Sequence, residues 1–252
     1  MLAWLKFRRR REARYPPAPV GTLLYAIGDI HGRSDCLDRA HDLIDRDVAE
    51  LGARDQATEI CIGDYVDRGP DSKGVIDRLV ARSTKVRLVA LRGNHEIIME
   101  SFLRGQTSFE DWRRLGGLET ILSYGVDARD LLAKGGVQPR DLAERIPVSH
   151  LRFISSLASV HTVGDYCFVH AGLRPGVAIE AQSISDLAWI RDDFLRFSGK
   201  FGFIVVHGHS PVSGVEFLQN RINIDTGAYM TNRLSVLRID ATGVTVLEAA
   251  AK

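Results

Sequence analysis

Five short strings in this chain collect the side chains that hold metal ions. They are GDIHG at 28–32, GDYVDRG at 63–69, GNHE at 93–96, HAG at 170–172 and HGH at 207–209. Each follows an apolar run and contributes carboxylates, an amide or imidazoles. Mixed Asp, Asn and His donors suit Mn²⁺, Fe or Zn²⁺ better than Ca²⁺, which prefers oxygen-only shells. No cysteine joins the set, which speaks against a structural zinc. Two such ions about 3.5–4 Å apart acidify a shared water and hold the hydroxide in line with phosphorus. The chemistry expected is phosphoester hydrolysis by a metal-bridging hydroxide, with no covalent phosphoenzyme.

The spacing divides the labour. Asp29 and His31 are two apart at a strand end, where an extended backbone sends both to one side and toward one ion. Asp64, after the second apolar run, has two oxygens to share between cations. Asn94, His170 and His209 come from other strand ends and complete a second site. Arg68 and Arg191 can bind nonbridging phosphoryl oxygens through planar forks, with Asn94 and His95 beside them. His95 can protonate a leaving alkoxide, and Asp67 can orient its imidazole without ligating metal. His207 competes with His209 for the ligand role. His41, His150 and His161 lie outside the motifs and read as packing or surface residues.

These side chains need a scaffold, and the apolar periodicity supplies one. LLYAI (23–27), EICI (59–62) and VRLVAL (86–91) read as short strands ending in the first three motifs. Between them, Leu37, Ala40, Ile44, Val48 and Leu51, then Val75, Ile76, Leu79 and Val80, recur at helical spacing. This β-α-β-α-β order implies parallel strands with right-handed crossovers, and ligands gather at the carboxyl ends of such strands. Residues 102–158 read as a mainly helical insertion, with Trp112 and Tyr124 packed rather than stacking on substrate. Strands return at 160–163 and 166–172 as a hairpin, at 203–209 and at 222–228, with a helix near 184–195 and a closing hairpin across 241–243. The fold class expected is α/β, with two mixed β-sheets forming a central sandwich flanked by helices. A single domain is expected over 21–252, after a flexible basic and proline-rich leader at 1–20.

Bulk properties exclude other classes. The 45% hydrophobic and 26% charged composition of these 252 residues is that of an ordinary globular protein. A net charge of +1 gives no global field to recruit nucleic acid, despite four arginines at 8–11. Three cysteines at unrelated spacings form neither a disulfide framework nor a CxxC site, so a reducing cytoplasm is expected. No membrane span and no nucleic-acid partner are expected, and the oligomeric state is not legible. GDIHG is not a dinucleotide-binding GxGxxG.

Taken together, GDIHG, GDYVDRG, RGNHE, HAG and a late GHSP resemble the phosphoprotein phosphatase family of metallophosphoesterases, in particular its short bacterial and phage serine/threonine phosphatases. The likeness runs from about Tyr25 to Leu237 and includes WIR at 189–191 and IDTGA at 224–228. It implies a calcineurin-like metallophosphoesterase fold holding two divalent ions, Mn²⁺ first and Fe or Zn²⁺ as alternatives. It also implies Asp29 and His31 on one metal, Asp64 as the bridge, and Asn94, His170 and His209 on the other, favouring His209 over His207. His95 would be the acid, Asp67 its partner, and Arg68 and Arg191 the phosphate arginines. The activity implied is a serine/threonine protein phosphatase acting on a phosphorylated protein or small phosphoester. The alternatives are a symmetrical diadenosine tetraphosphate hydrolase, which shares the site, and a noncatalytic phosphate-binding scaffold.

Overall fold

The computed structural model describes residues 8–12 and 15–248. Eleven strands in chain order form two mixed sheets. They are β1 (Arg8–Glu12), β2 (Leu23–Ile27), β3 (Ala57–Cys61), β4 (Arg87–Ala90), β5 (Val160–Val163), β6 (Tyr166–Val169), β7 (Ile204–His207), β8 (Glu216–Phe217), β9 (Arg221–Asn223), β10 (Val236–Asp240) and β11 (Gly243–Glu248). The first sheet runs β1-β11-β10-β2-β3-β4 and the second β5-β6-β7-β9-β8. β2, β3 and β4 are parallel neighbours, as the β-α-β-α-β reading expects. Their crossovers are α1 (Ser34–Leu51) and α2 (Ser72–Ser83), and α3 (Asn94–Leu103) follows β4.

Period-2 alternation sorts each strand between two apolar layers. In β2, Leu23, Tyr25 and Ile27 face the helices with Leu37, Ile44 and Leu79. Leu24 and Ala26 face inward with Ile60, Phe168, Val206, Ile222 and Leu237 between the sheets. In the second sheet, Cys167, Val169 and Val205 turn outward onto Leu187 and Phe194. Burial of such side chains contributes about 25 cal/mol per Å² of apolar surface, and it locks the register of both sheets.

Residues 102–158 are helical as expected, in α4 (Phe109–Arg114), α5 (Gly117–Ser123), α6 (Ala128–Lys134), α7 (Pro139–Ala143) and α8 (Val148–Ser155). Trp112 is fully buried against Phe102, and buried Tyr124 bonds His150. Three expectations need correction. The helix read across 184–195 breaks into α9 (Ile184–Trp189) and α10 (Asp192–Leu195), with Ile190 extended and Arg191 non-helical. The strand read at 222–228 stops at Asn223, because the Asn223 side chain accepts from Asp225 N–H and the Asp225 carboxylate from Gly227 N–H. These Asx bonds turn the chain into α11 (Ala228–Thr231). The leader expected to be flexible is partly built in: β1 pairs with β11, while Tyr15 and Ala18 are buried in the inter-sheet layer. Tyr15 donates to Leu218 O, and Pro16 O accepts from Tyr166. Residues 1–7 and 13–14 of the leader lie outside the described residues. Among those described, no helix is long and apolar enough to cross a membrane.

Candidate active site

The loops after β2, β3, β4, β6 and β7 meet at one end of the sandwich. Backbone geometry there is unusual. Of the six non-glycine residues with left-handed φ among those described, five are His31, Asp64, Asp67, Arg68 and His209. Non-glycine residues adopt that region only when surrounding contacts hold them, and such strain gathers at functional sites. His31 therefore reaches the site differently from the simple extended picture. β2 ends at Ile27, and the N–H groups of Ile30 and His31 both donate to Asp64 O, clipping the first motif onto the second.

Asp64 lies at the centre. Its Oδ2 is 3.4 Å from His31 Nε2 and 4.0 Å from His95 Nε2, while Oδ1 is 3.3 Å from His170 Nε2. Donor atoms of His31, Asp64 and His95 lie within 4.8 Å of one another, as do those of Asp64, His170 and His209. Asn94, the first residue of α3, aims Oδ1 at both His170 Nε2 (3.0 Å) and His209 Nδ1 (2.9 Å). Asp29 is in neither trio. Its Oδ2 accepts from His209 N–H, and its Oδ1 is buried without a partner. A Cβ on residue 208 would collide with that oxygen, so only glycine fits there.

The charges show what such a cluster is suited to hold. Burial lifts the Asp29 carboxyl well above its usual range, aided by Asp225. Burial would depress His170, yet Asp64, Asp29 and Glu96 carry it up to about 10. Burial holds His31 and His209 down to about 3. Carboxylates and imidazoles so densely packed and desolvated call for compensating cations. An orphaned Asp29 oxygen, a central carboxylate shared between two trios, and mixed O/N donors fit two divalent ions.

Around this ring sit the residues expected to act on substrate. His95 Nδ1 is 2.7 Å from Asp67 Oδ2. Asp67, wholly buried, also accepts from Trp112 Nε1 and Thr120 Oγ1. Burial works against charge on His95, but Asp64 and Asp67 outweigh it and raise its pKa. Arg68 lies 2.9 Å from His31 Nε2 and 3.0 Å from His95 Nε2. Arg191, at the break between α9 and α10, donates to His209 Nε2 and His209 O. His207 is not among the clustered donors: it is buried edge-on against Phe194, with Nδ1 near Gly208 O. His150 lies between Tyr124 and Asp77, and His41 is near Glu59, both as packing residues.

Sequence reasoning missed Glu96, Trp112 as a hydrogen-bond donor, and Thr120. Glu96 is fully buried, and its carboxylate accepts from the N–H groups of Gly93, Asp64, Tyr65 and Val66. It ties the second and third motifs together. Burial, then Asp64, pushes its pKa up to about 7. A Glu three residues after a helix-capping position was a usable sign of backbone capping. Nothing local announces Trp112 or Thr120, which reach Asp67 from the insertion.

A two-sheet sandwich whose strand-end loops converge carboxylates, imidazoles and one amide is suited to metal-assisted hydrolysis of a phosphoester. The sequence profile of the calcineurin-like phosphoesterases matches residues 23–239, and this chain belongs to that family. It is similar to the zinc-dependent endopolyphosphatase of Saccharomyces cerevisiae, at 25% identity over 84% of this chain and 74% of that one. It is also similar to serine/threonine-protein phosphatase 2 of Escherichia coli, at 26% identity over 86% and 92%. A third relative is an asymmetrical bis(5'-nucleosyl)-tetraphosphatase of Anoxybacillus flavithermus, at 26% over 70% and 73%. In fold, it resembles a crystal structure of a candidate diadenosine tetraphosphatase, with TM-score 0.63 at 19% identity over 94% and 98% of the two chains. The chain is thus a phosphoester hydrolase of the calcineurin-like family.

Proposed function

We propose that this hydrolase is a phosphomonoesterase of the serine/threonine phosphatase type, with His95 as proton donor. One observation carries the reading: the His95–Asp67 pair, braced by Trp112 and Thr120, lies beside Arg68 and the shared carboxylate of Asp64. An alkoxide leaving group needs a proton, whereas a phosphate leaving group, with a second pKa of about 6, departs at neutral pH without one. A built general acid is therefore worth most on an alkyl phosphoester.

Asp29, His31 and Asp64 would hold one divalent ion and Asp64, Asn94, His170 and His209 the other, with Mn²⁺ proposed first and Fe or Zn²⁺ as alternatives. When bound, the ions supply acidified water and neutralise phosphoryl charge. Arg68 and Arg191 would grip the nonbridging oxygens and set phosphorus in line. His95 Nε2–H would pass its proton to the departing oxygen while Asp67 keeps the Nδ1–H tautomer.

The relatives named as tetraphosphatases and as an endopolyphosphatase favour a second reading, cleavage of a phosphoanhydride in a dinucleoside polyphosphate. Turnover of a phosphoserine peptide and of diadenosine tetraphosphate with added Mn²⁺ tests both. The peptide is expected to have the higher kcat/KM, and the reverse order would replace the first reading with the second. No turnover of these substrates or of p-nitrophenyl phosphate across the divalent metals, despite measured phosphate binding, would favour a phosphate-binding scaffold.

A further inference from the structure

Beside the donor ring, the junction of α4 and α5 forms one wall of an open cleft of about 390 Å³. Arg68, Arg113, Arg114, Leu118, Glu119 and Tyr229 line it. Arg68 belongs to both places, because its guanidinium touches His31 and His95 and the residue also lines the cleft. The two arginines of α4 sit at a set offset from it. Arg68 N–H donates to Gly116 O at 3.0 Å, and a Cβ on residue 116 would fall 2.8 Å from Arg68 Cγ. Gly116 follows Arg114 by two residues, so their Cα atoms are within about 8 Å. Tyr229, half-buried, also lines the cleft, with its ring centroid 5.0 Å from the Arg68 guanidinium.

Counter-charges stand beside the cleft and on its wall. Glu110 accepts two bonds from Arg113 at 2.8 Å and one from Arg114 at 3.2 Å, and Glu119 is on the wall. These pairs are exposed, and exposed pairs are weak and screened by salt. Three guanidiniums against two carboxylates leave the cleft cationic, and a multivalent anion can displace Glu110 from both arginines at once. Consecutive phosphates in one chain share a bridging oxygen, so a linear polyanion held in the ring can extend toward the guanidinium forks that line the cleft.

We propose that this cleft is a second anion subsite, in which Arg113 and Arg114 bind the next phosphates of a phosphoanhydride chain whose terminal or internal phosphoryl group lies in the donor ring. The inference rests on the donor ring being the hydrolytic site, and it names residues that determine how well the polyphosphate class is accepted there.

The test is the double variant R113Q/R114Q in the full chain, since both side chains are exposed. Calorimetric titration with inorganic tripolyphosphate should show binding weakened about tenfold or more, each tenfold being about 1.4 kcal/mol. With Mn²⁺, kcat/KM for diadenosine tetraphosphate should fall about tenfold, while that for p-nitrophenyl phosphate, which has no second phosphate, stays within about twofold. Unchanged tripolyphosphate binding would overturn the proposal. So would equal losses on both substrates, or a loss seen only with a doubly phosphorylated peptide. If the parent protein turns over neither substrate, the hydrolytic reading of the ring fails, and the titration still decides whether the cleft binds polyphosphate.

Discussion

His95 is bonded through Nδ1 to Asp67 and meets Arg68 at Nε2. Asp67 fixes Nδ1 at 2.7 Å, which leaves Nε2 facing Arg68 and the ring. A proton donor placed this way matters in proportion to the basicity of the leaving oxygen. His95→Asn is expected to slow hydrolysis of an alkyl phosphoester about 10²–10⁴-fold, with a much smaller loss on p-nitrophenyl phosphate, whose phenolate leaves readily. Metal content by elemental analysis should stay near that of the parent, because the proposed ligand set omits His95. Equal losses on both esters would remove His95 from the acid role. The imidazoles and carboxylates were legible as residue types after strand-like runs. Glu96 was overlooked because its task is backbone capping, which leaves no mark beyond a Glu three positions past Gly93.

At the level of elements, the insertion reaches into the site instead of merely covering it. Trp112 from α4 and Thr120 from α5 both donate to Asp67, and the turn between these helices receives Arg68 N–H. Gly116 makes that turn possible, with φ of 99° and Arg68 pressed against it. Gly116→Ala should cost about 1–3 kcal/mol of stability through the strained φ. It should also displace Arg68, lowering kcat/KM for p-nitrophenyl phosphate by about tenfold at temperatures where a melt shows the variant folded. Parental activity in a folded variant would mean that Arg68 is placed by its own loop alone. The helical character of 102–158 was readable from apolar spacing, but its contacts to Asp67 span 45 and 53 residues, beyond any local pattern. The break at Arg191 was likewise invisible, since apolar spacing runs through 184–195 without interruption, while the bonds of Arg191 reach His209, 18 residues away.

For the whole molecule, the N-terminal arm contributes to the sandwich rather than to the chemistry. β1 extends the first sheet at β11, and Tyr15 inserts between the sheets against Phe217. Removing residues 1–19 should lower stability, because burying one such aromatic side chain contributes about 2–3 kcal/mol. In a domain of this size that corresponds to a fall in Tm of about 4–12 °C by thermal melt. Specific activity measured below the transition should change little. An unchanged Tm would return the arm to the role of a loose leader.

Local periodicity by itself determined that three strands alternate with two helices and that ligand-type side chains follow the strand ends. Those are properties of neighbouring residues, set by backbone geometry and the need to bury an apolar face. Tertiary structure alone decided that Asn94 Oδ1 stands between His170 and His209, which are 76 and 115 residues away. It also decided that His209 rather than His207 enters the ring, that Trp112 and Thr120 brace Asp67, and that Arg113 and Arg114 line one cleft with Arg68. Such meetings depend on how two twisted sheets stack and how strained loops are clamped, and the packing of the entire core governs both.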